Sequence, residues 1–414
     1  MNKDLQRAEK VMNRINRLAS VSEEPGVITR TFGTKAFLEG RALVKTWMNE
    51  AGLETNVDQI GNVRGKLRSD NPEARTFVIA SHIDTVVNAG KFDGPLGVLM
   101  GLDLLEQLIL HKVQLPFHIE LIAFSDEEGV RFHTTFLGSK AVTGAFDYLL
   151  LEKKDEKGIA LKEVIYEMGG DAGKIAEDMI PVENWLGYFE MHIEQGPVLY
   201  ERNIPAAIVT GIAGQKRIEL GFTGFAGHAG TVPMNMRKDA LCNAAEVVLA
   251  IEKYALENGA EIVATVGKLQ VVNAASNVIP GEVICSLDLR SADNEKLEQA
   301  YDELKSICET ISAKRKIAMS WQLIQETAPV ICDTGMNELL ESAIRDAGYE
   351  VIKLVSGAGH DAVPVSLVAP VTMLFIRCFQ GISHNPLENV AMEDLASAIE
   401  ISDRFIKSLL NQHP

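Results

Sequence analysis

Short apolar runs and longer amphipathic stretches take turns along the first half of the chain. Thr76–Ser81 and His118–Phe124 read as buried strands, and helical periodicity covers Asp4–Ala19, Lys35–Ala51 and Leu96–His111. Buried strands separated by helices of this length form a mostly parallel sheet with helices on both faces. Such a sheet takes its ligands beyond the carboxyl ends of its strands, so functional residues are expected just after strands.

From about Gly211 the pattern changes. Ile218–Phe222, Ile262–Gln270, Val283–Arg290 and Ile317–Ile324 read as strands, with helices over Lys238–Leu256 and Asn294–Ala313. These predict an α+β unit with its helices on one face. The alternation then resumes with helix Asn337–Ala347, strands Tyr349–Leu354 and Val371–Ile376, and helix Met392–Leu410. The expected organisation is one α/β domain over residues 1–210 and 328–414, interrupted by an inserted unit at 211–327.

The length of 414 residues allows more than one core, and 46% hydrophobic with 23% charged residues excludes disordered, collagen-like and coiled-coil classes. A net charge of -17 repels phosphate backbones and anionic lipid, so neither nucleic acid nor membrane is an expected partner. The opening M-N-K-D-L-Q-R-A-E-K lacks the apolar core of a secretory signal, and the cytoplasm is the expected location. The five cysteines are scattered without a C-x-x-C pair, and read as buried reduced thiols.

Histidines and carboxylates carry the chemical signal. His82 ends V-I-A-S, and Asp84 shares its face in extended geometry. That pattern suits a metal ligand with its orienting carboxylate, or a polar residue entering a loop. Asp93, in F-D-G-P-L-G, reads by itself as a helix cap, although Gly94 and Gly97 permit close backbone approach. Adjacent glutamates usually mark a solvated helix face. Glu127 and Glu128, however, follow the strand I-E-L-I-A-F-S, where buried carboxylates need a positive charge such as a metal ion. His192 alternates with Glu194 after Y-F-E-M, and His384 lies in G-I-S-H-N-P after V-T-M-L-F-I. His82, Asp93, Glu128, His192 and His384 together form an oxygen and nitrogen set suited to two divalent ions bridged by one carboxylate.

In this order S-H-I-D-T, F-D-G-P-L-G, D-E-E-G, H-I-E-Q-G and G-I-S-H-N-P resemble the M20 metallopeptidase superfamily, in its carbamoyl and ureido amidohydrolase branch. The resemblance covers nearly the whole chain; it is nearest to the allantoate amidohydrolases, with the N-carbamoyl-L-amino acid hydrolases as neighbours. It implies a metallopeptidase-like catalytic domain, an inserted dimerisation or lid domain, a homodimer and two divalent ions, zinc or manganese. It further implies that Asp93 bridges, that His82 and His192 complete one ion's ligands, and that Glu128 and His384 complete the other's. Glu127 is then the general base. His228, in G-H-A-G-T-V-P-M, is implied to stabilise the tetrahedral oxyanion, and Asn277 and Arg290 to hold a small substrate's carboxylate. Gln195 and His360 become pocket residues. On the residues alone, His228 reads as a surface histidine and Arg290 as a strand-end salt bridge.

Gln215, Lys216 and Arg217 stand where carbamoyl-amino-acid hydrolases tend to be apolar. Arg217 is therefore expected to donate to a second ureido carbonyl, unless it pairs with a surface acid. The expected reaction is metal-assisted hydrolysis of allantoate in purine catabolism, releasing ammonia and carbon dioxide. The alternatives are an N-carbamoyl-L-amino acid hydrolase, a dipeptidase or deacylase, and a non-catalytic metal-binding homologue that would have no use for the spare base Glu127.

Overall fold

The computed structural model describes residues 3–259 and 261–413. It divides into two compact units, Met1–Thr210 with Cys332–Pro414, and Gly211–Ile331.

At the centre of the larger unit four strands lie side by side and parallel, in the order His118–Phe124, Thr76–His82, Trp185–Ile193 and Val371–Ile376. Nearly every residue in them is buried, the pattern of parallel strands covered on both faces. Their carboxyl ends therefore share one edge of the sheet. The flanks run antiparallel: Glu54–Val57 forms a hairpin with Val63–Leu67 beside His118–Phe124, and Ala206–Ile212 pairs with Val371–Ile376. The hairpin is short and rich in polar residues, so no apolar run announces it in the sequence.

Helices Lys3–Ala19, Pro95–Leu110 and Met392–Gln412 pack on one another around this core. Lys3–Ala19 buries Val11, Ile15 and Leu18 at helical spacing, each worth about 1.5–3 kcal/mol. Arg7 on the same helix bonds Asp103 at 2.8 Å and also pairs with Asp403, joining all three helices. Helix Thr334–Asp346 starts three residues before the expected Asn337, because Asp333 accepts from Met336 N and caps it there. The strand expected at Tyr349–Leu354 lies instead at Lys353–Ser356. Tyr349 N still closes a turn onto Ile344 O, so the chain is not yet extended.

The smaller unit holds an antiparallel sheet in the order Ala318–Thr327, Gly214–Thr223, Glu282–Ser291, Val263–Val271. Helices Ala240–Glu257 and Asn294–Arg315, capped by Asp239 and Asp293, pack on it. Burial alternates along Gly214–Thr223, with Ile218, Leu220 and Phe222 in the core. Gln215 and Arg217 therefore occupy the opposite face.

The cysteines are all free; Cys285, Cys308, Cys332 and Cys378 are buried as expected, but Cys242 is exposed on its helix. No helix of the described residues is long and apolar enough to cross a membrane.

Candidate metal centre

The carboxyl edge of the parallel strands gathers the predicted ligands. His82 and His192 are buried, with ring centroids 5.8 Å apart. Nδ1 of His82 meets the main-chain oxygen of Asp84 at 3.1 Å, and Nδ1 of His192 meets that of Ile193 at 2.9 Å. A ring donating from Nδ1 can offer Nε2 to a metal once that nitrogen gives up its proton. Both Nε2 atoms face Asp93 Oδ1, at 3.8 and 3.1 Å. The second oxygen, Asp93 Oδ2, lies 3.1 Å from His384 Nε2, which is itself 3.4 Å from Glu128 Oε1.

Asp93 thus divides its oxygens between two donor sets. In His82–Asp93–His192, and again in Asp93–Glu128–His384, the candidate ligand atoms lie within 4.8 Å of one another. Imidazoles with Nε2 presented and carboxylates aimed at one centre fit a divalent cation. The electrostatics agree. Burial pushes Glu127 well above the usual carboxylate range and raises Glu128 to about 7. Burial also works to raise Asp93, but hydrogen bonds from His192 and His384 overcome it and hold it well below that range. A bound cation would relieve the same crowding of buried acids.

Local backbone geometry builds the site. Gly94 has φ +83°, and a Cβ there would overlap the His82 ring. Gly94, not Asp93, stands at the cap of helix Pro95–Leu110 and makes no side-chain cap bond. The reading of Asp93 as a helix cap is therefore set aside. Asp126, Gln195 and His384 also have positive φ, at 54°, 57° and 54°. Such conformations cost non-glycine residues of order 1–3 kcal/mol, and clustering of this kind is typical of functional sites.

Asp84 does more than the sequence pattern suggested. Its carboxylate lies 3.6 Å from His82 Nδ1, but its hydrogen bonds run from Glu127 N to Oδ1 and from Glu128 N to Oδ2, each 3.1 Å. Asp84 therefore grips the backbone that presents both glutamates. Glu127 is buried rather than on a solvated helix face, and its carboxylate groups with His82 and Glu128.

Gln195 Nε2 donates to Asp93 Oδ2 at 2.9 Å, while its Oε1 is buried without a hydrogen-bond partner. His360 stacks edge-on against His192, ring centroids 4.6 Å apart, with Nε2 on Ser356 Oγ at 2.7 Å. Glu194 lies elsewhere: it accepts from Val198 N and Leu199 N at 2.8 Å and caps a short helix. The acid that groups with His192 and His360 is Glu190, which also accepts from Tyr188 Oη at 2.9 Å. Glu190 shares strand parity with His192, a signal the sequence offered in Y-F-E-M-H. Ser383, Glu388 and Asp361, all close to the site, carried no such signal.

The other predicted residues belong to the smaller unit. Pairing of Gly227–His228 with Val278–Ile279 sets His228 beside Asn277, whose oxygen accepts from Ala229 N at 2.9 Å. His228 is exposed and Nδ1 accepts from Gly230 N at 3.1 Å, which leaves Nε2–H as an outward donor. Arg290 is bound in a fork by Asp288, at 2.7 and 3.0 Å. Asp288 also accepts from Gln215 Nε2 and lies 3.5 Å from Arg217 Nε, while Arg217 donates to Gln325 at 3.2 Å. Lys216 points to the helix side, buried between Glu298 and Glu326.

Residues 78–408 match the model of peptidase family M20/M25/M40. The chain is 38% identical to allantoate deiminase 2 of Glycine max, across 97% of this chain and 89% of that one. It is 37% identical to N-carbamoyl-L-amino acid amidohydrolase of Geobacillus stearothermophilus, across 95% and 96%. Its fold is similar to the crystal structure of an amidase of the hydantoinase/carbamoylase family from Burkholderia multivorans, with TM-score 0.89, 32% identity and 97% of each chain covered.

Proposed function

The chain belongs to peptidase family M20/M25/M40 and is a hydrolase of C–N bonds, and we propose that it cleaves the terminal ureido group of allantoate. One observation carries the reaction type: Asp93 offers one oxygen to His82 and His192 and the other to His384, while the buried Glu127 groups with His82 and Glu128 but not with Asp93. That arrangement suits two divalent ions with a spare base.

The ions, when bound, polarise the scissile carbonyl and acidify the attacking water. The protein's own residues do the rest. Glu127 takes the proton from the water as its oxygen adds to the ureido carbon, and passes it to the departing nitrogen. The terminal C–N bond breaks, ammonia leaves, and the remaining carbamate loses carbon dioxide. Asp84 keeps the Glu127 backbone in place through both transfers. Asp93 would hold the ions together with His82 and His192 on one side and Glu128 and His384 on the other, and Gln195 donates to its Oδ2 from the protein side. His228 Nε2–H is assigned to the tetrahedral oxyanion, and Asn277 and Arg290 to the substrate carboxylate. The inserted unit is assigned dimerisation, with zinc or manganese as the metal and the cytoplasm as the compartment.

The choice of allantoate is supported by the polar set Gln215, Arg217, Asp288 and Arg290 on the face of the small sheet opposite its helices. Allantoate has a second ureido arm to satisfy such groups; an N-carbamoyl amino acid with an apolar side chain does not. N-carbamoyl-L-amino acids remain a second reading, favoured by the Geobacillus relative and by the ties of Arg217 to Asp288 and Gln325. Comparing kcat/KM on allantoate with kcat/KM on a series of N-carbamoyl-L-amino acids, after loading with manganese or zinc, tests the proposal. Preference for allantoate is expected; a preference for any N-carbamoyl amino acid replaces it with the second reading.

A further inference from the structure

Glu388 follows His384 by one short turn and is buried. No Lys or Arg side chain bonds to it among the described residues. Its Oε1 accepts from Phe92 N at 2.7 Å and from Asp93 N at 3.1 Å, and its Oε2 lies 3.2 Å from Ser383 Oγ. Ser383 Oγ in turn lies 2.6 Å from Asp93 Oδ2. The loop leading to Asp93 is shaped around this side chain, since a Cβ at Gly90 would overlap it.

His384 needs such an anchor. His82 and His192 are buried and each is oriented by a main-chain carbonyl. His384 has a side chain 48% exposed, sits at φ +54°, and has no comparable bond to the main chain among the described residues. Its position relative to Asp93 Oδ2 is set by whatever ties its turn to the Asp93 loop. Glu388 and Ser383 make that tie, across segments 290 residues apart at the Ser383–Asp93 bond.

We infer that Glu388 is the positioning residue for the exposed half of the metal centre, setting the separation of Asp93 Oδ2 from His384 and so the affinity for the ion held there. The inference rests on the two-ion reading of the site. Losing a partner that orients metal ligands typically weakens the metal by about 10–100-fold, and here the loss should fall on one ion. Glu388→Gln keeps an oxygen for the Phe92 and Asp93 N–H groups, so it should lose much less than Glu388→Ala.

Manganese and zinc titrations of the metal-free protein by calorimetry, with metal content after dialysis, test this. Wild type should take two ions per chain. Glu388→Ala should keep one tight site and weaken the other by about 10–100-fold, with Glu388→Gln in between. Two unchanged sites in Glu388→Ala overturn the inference. Equal weakening of both sites also overturns it, because the clamp would then support the whole edge. A wild type that takes only one ion overturns the two-ion reading and this inference with it, so the two failures are told apart in the unmodified protein.

Discussion

Replacing Asp84 with Asn tests how the turn that carries Glu127 and Glu128 is held. The carboxylate accepts two main-chain bonds, one oxygen each for Glu127 N and Glu128 N, both 3.1 Å. Asn has a single acceptor oxygen, so one of these N–H groups must face an NH₂ donor instead. Bonds to a charged acceptor contribute about 1.5–3 kcal/mol, and a buried donor left unsatisfied costs a similar amount. The turn relieves this by moving, and the side chains that move with it are the proposed base and one proposed ligand. If 1.5–3 kcal/mol is felt in the transition state, kcat/KM falls roughly 10- to 150-fold. The assay is ammonia release from allantoate at saturating metal, together with a metal titration. Activity within about twofold of wild type at equal metal content would refute the reasoning. A loss confined to the ion at His82 and His192 would instead show that Asp84 acts chiefly on the His82 ring, as the spacing of the two residues first suggests.

Glu127→Gln should keep its full metal content and lose roughly 10²- to 10⁴-fold in turnover, since only the base is removed; loss of an ion would make Glu127 a ligand. Arg217→Leu should weaken allantoate turnover far more than that of any N-carbamoyl amino acid, whereas Arg290→Leu should damage both; equal losses for Arg217→Leu, or none, remove the ureido-arm role. Asp58, buried beside Asn62, has its carboxyl raised by burial from 3.8 to about 7. An acid with a raised folded pKa holds its proton more tightly in the native state, so its contribution is full below about pH 4 and lost as pH rises through about 7. Relative to Asp58→Asn, the wild type should therefore lose up to about 4 kcal/mol of stability between pH 4 and 7, and a flat difference in urea unfolding across that range would reject this.

Much of the fold was legible in local pattern. Thr76–Ser81, His118–Phe124 and Val371–Ile376 are short, mostly apolar runs, and a buried parallel strand announces itself in that way whatever surrounds it. His82 and His192 could be picked out at the ends of their strands, Glu127 and Glu128 because a carboxylate pair just after a buried strand is badly placed unless it serves a site, and His384 in the loop that follows Val371–Ile376. The Glu54–Val57 hairpin escaped notice because its strands are short and partly polar.

What the chain order alone determined is therefore the parallel sheet, the interruption by an α+β unit and the set of candidate ligands, since burial period and residue type are properties of neighbours along the chain. Only the tertiary structure decided who holds whom. It gave Asp84 to the backbone of Glu127, 43 positions away, and Glu388 to the loop of Asp93, 295 positions away, while Glu194 went to a helix cap. It also joined Arg290, Arg217 and Gln215 through Asp288, a residue with no mark of its own in the sequence. A hydrogen bond is decided by tenths of an ångström between groups that packing brings together, and a periodicity of apolar residues fixes which side of an element faces inward but not which atom it meets there.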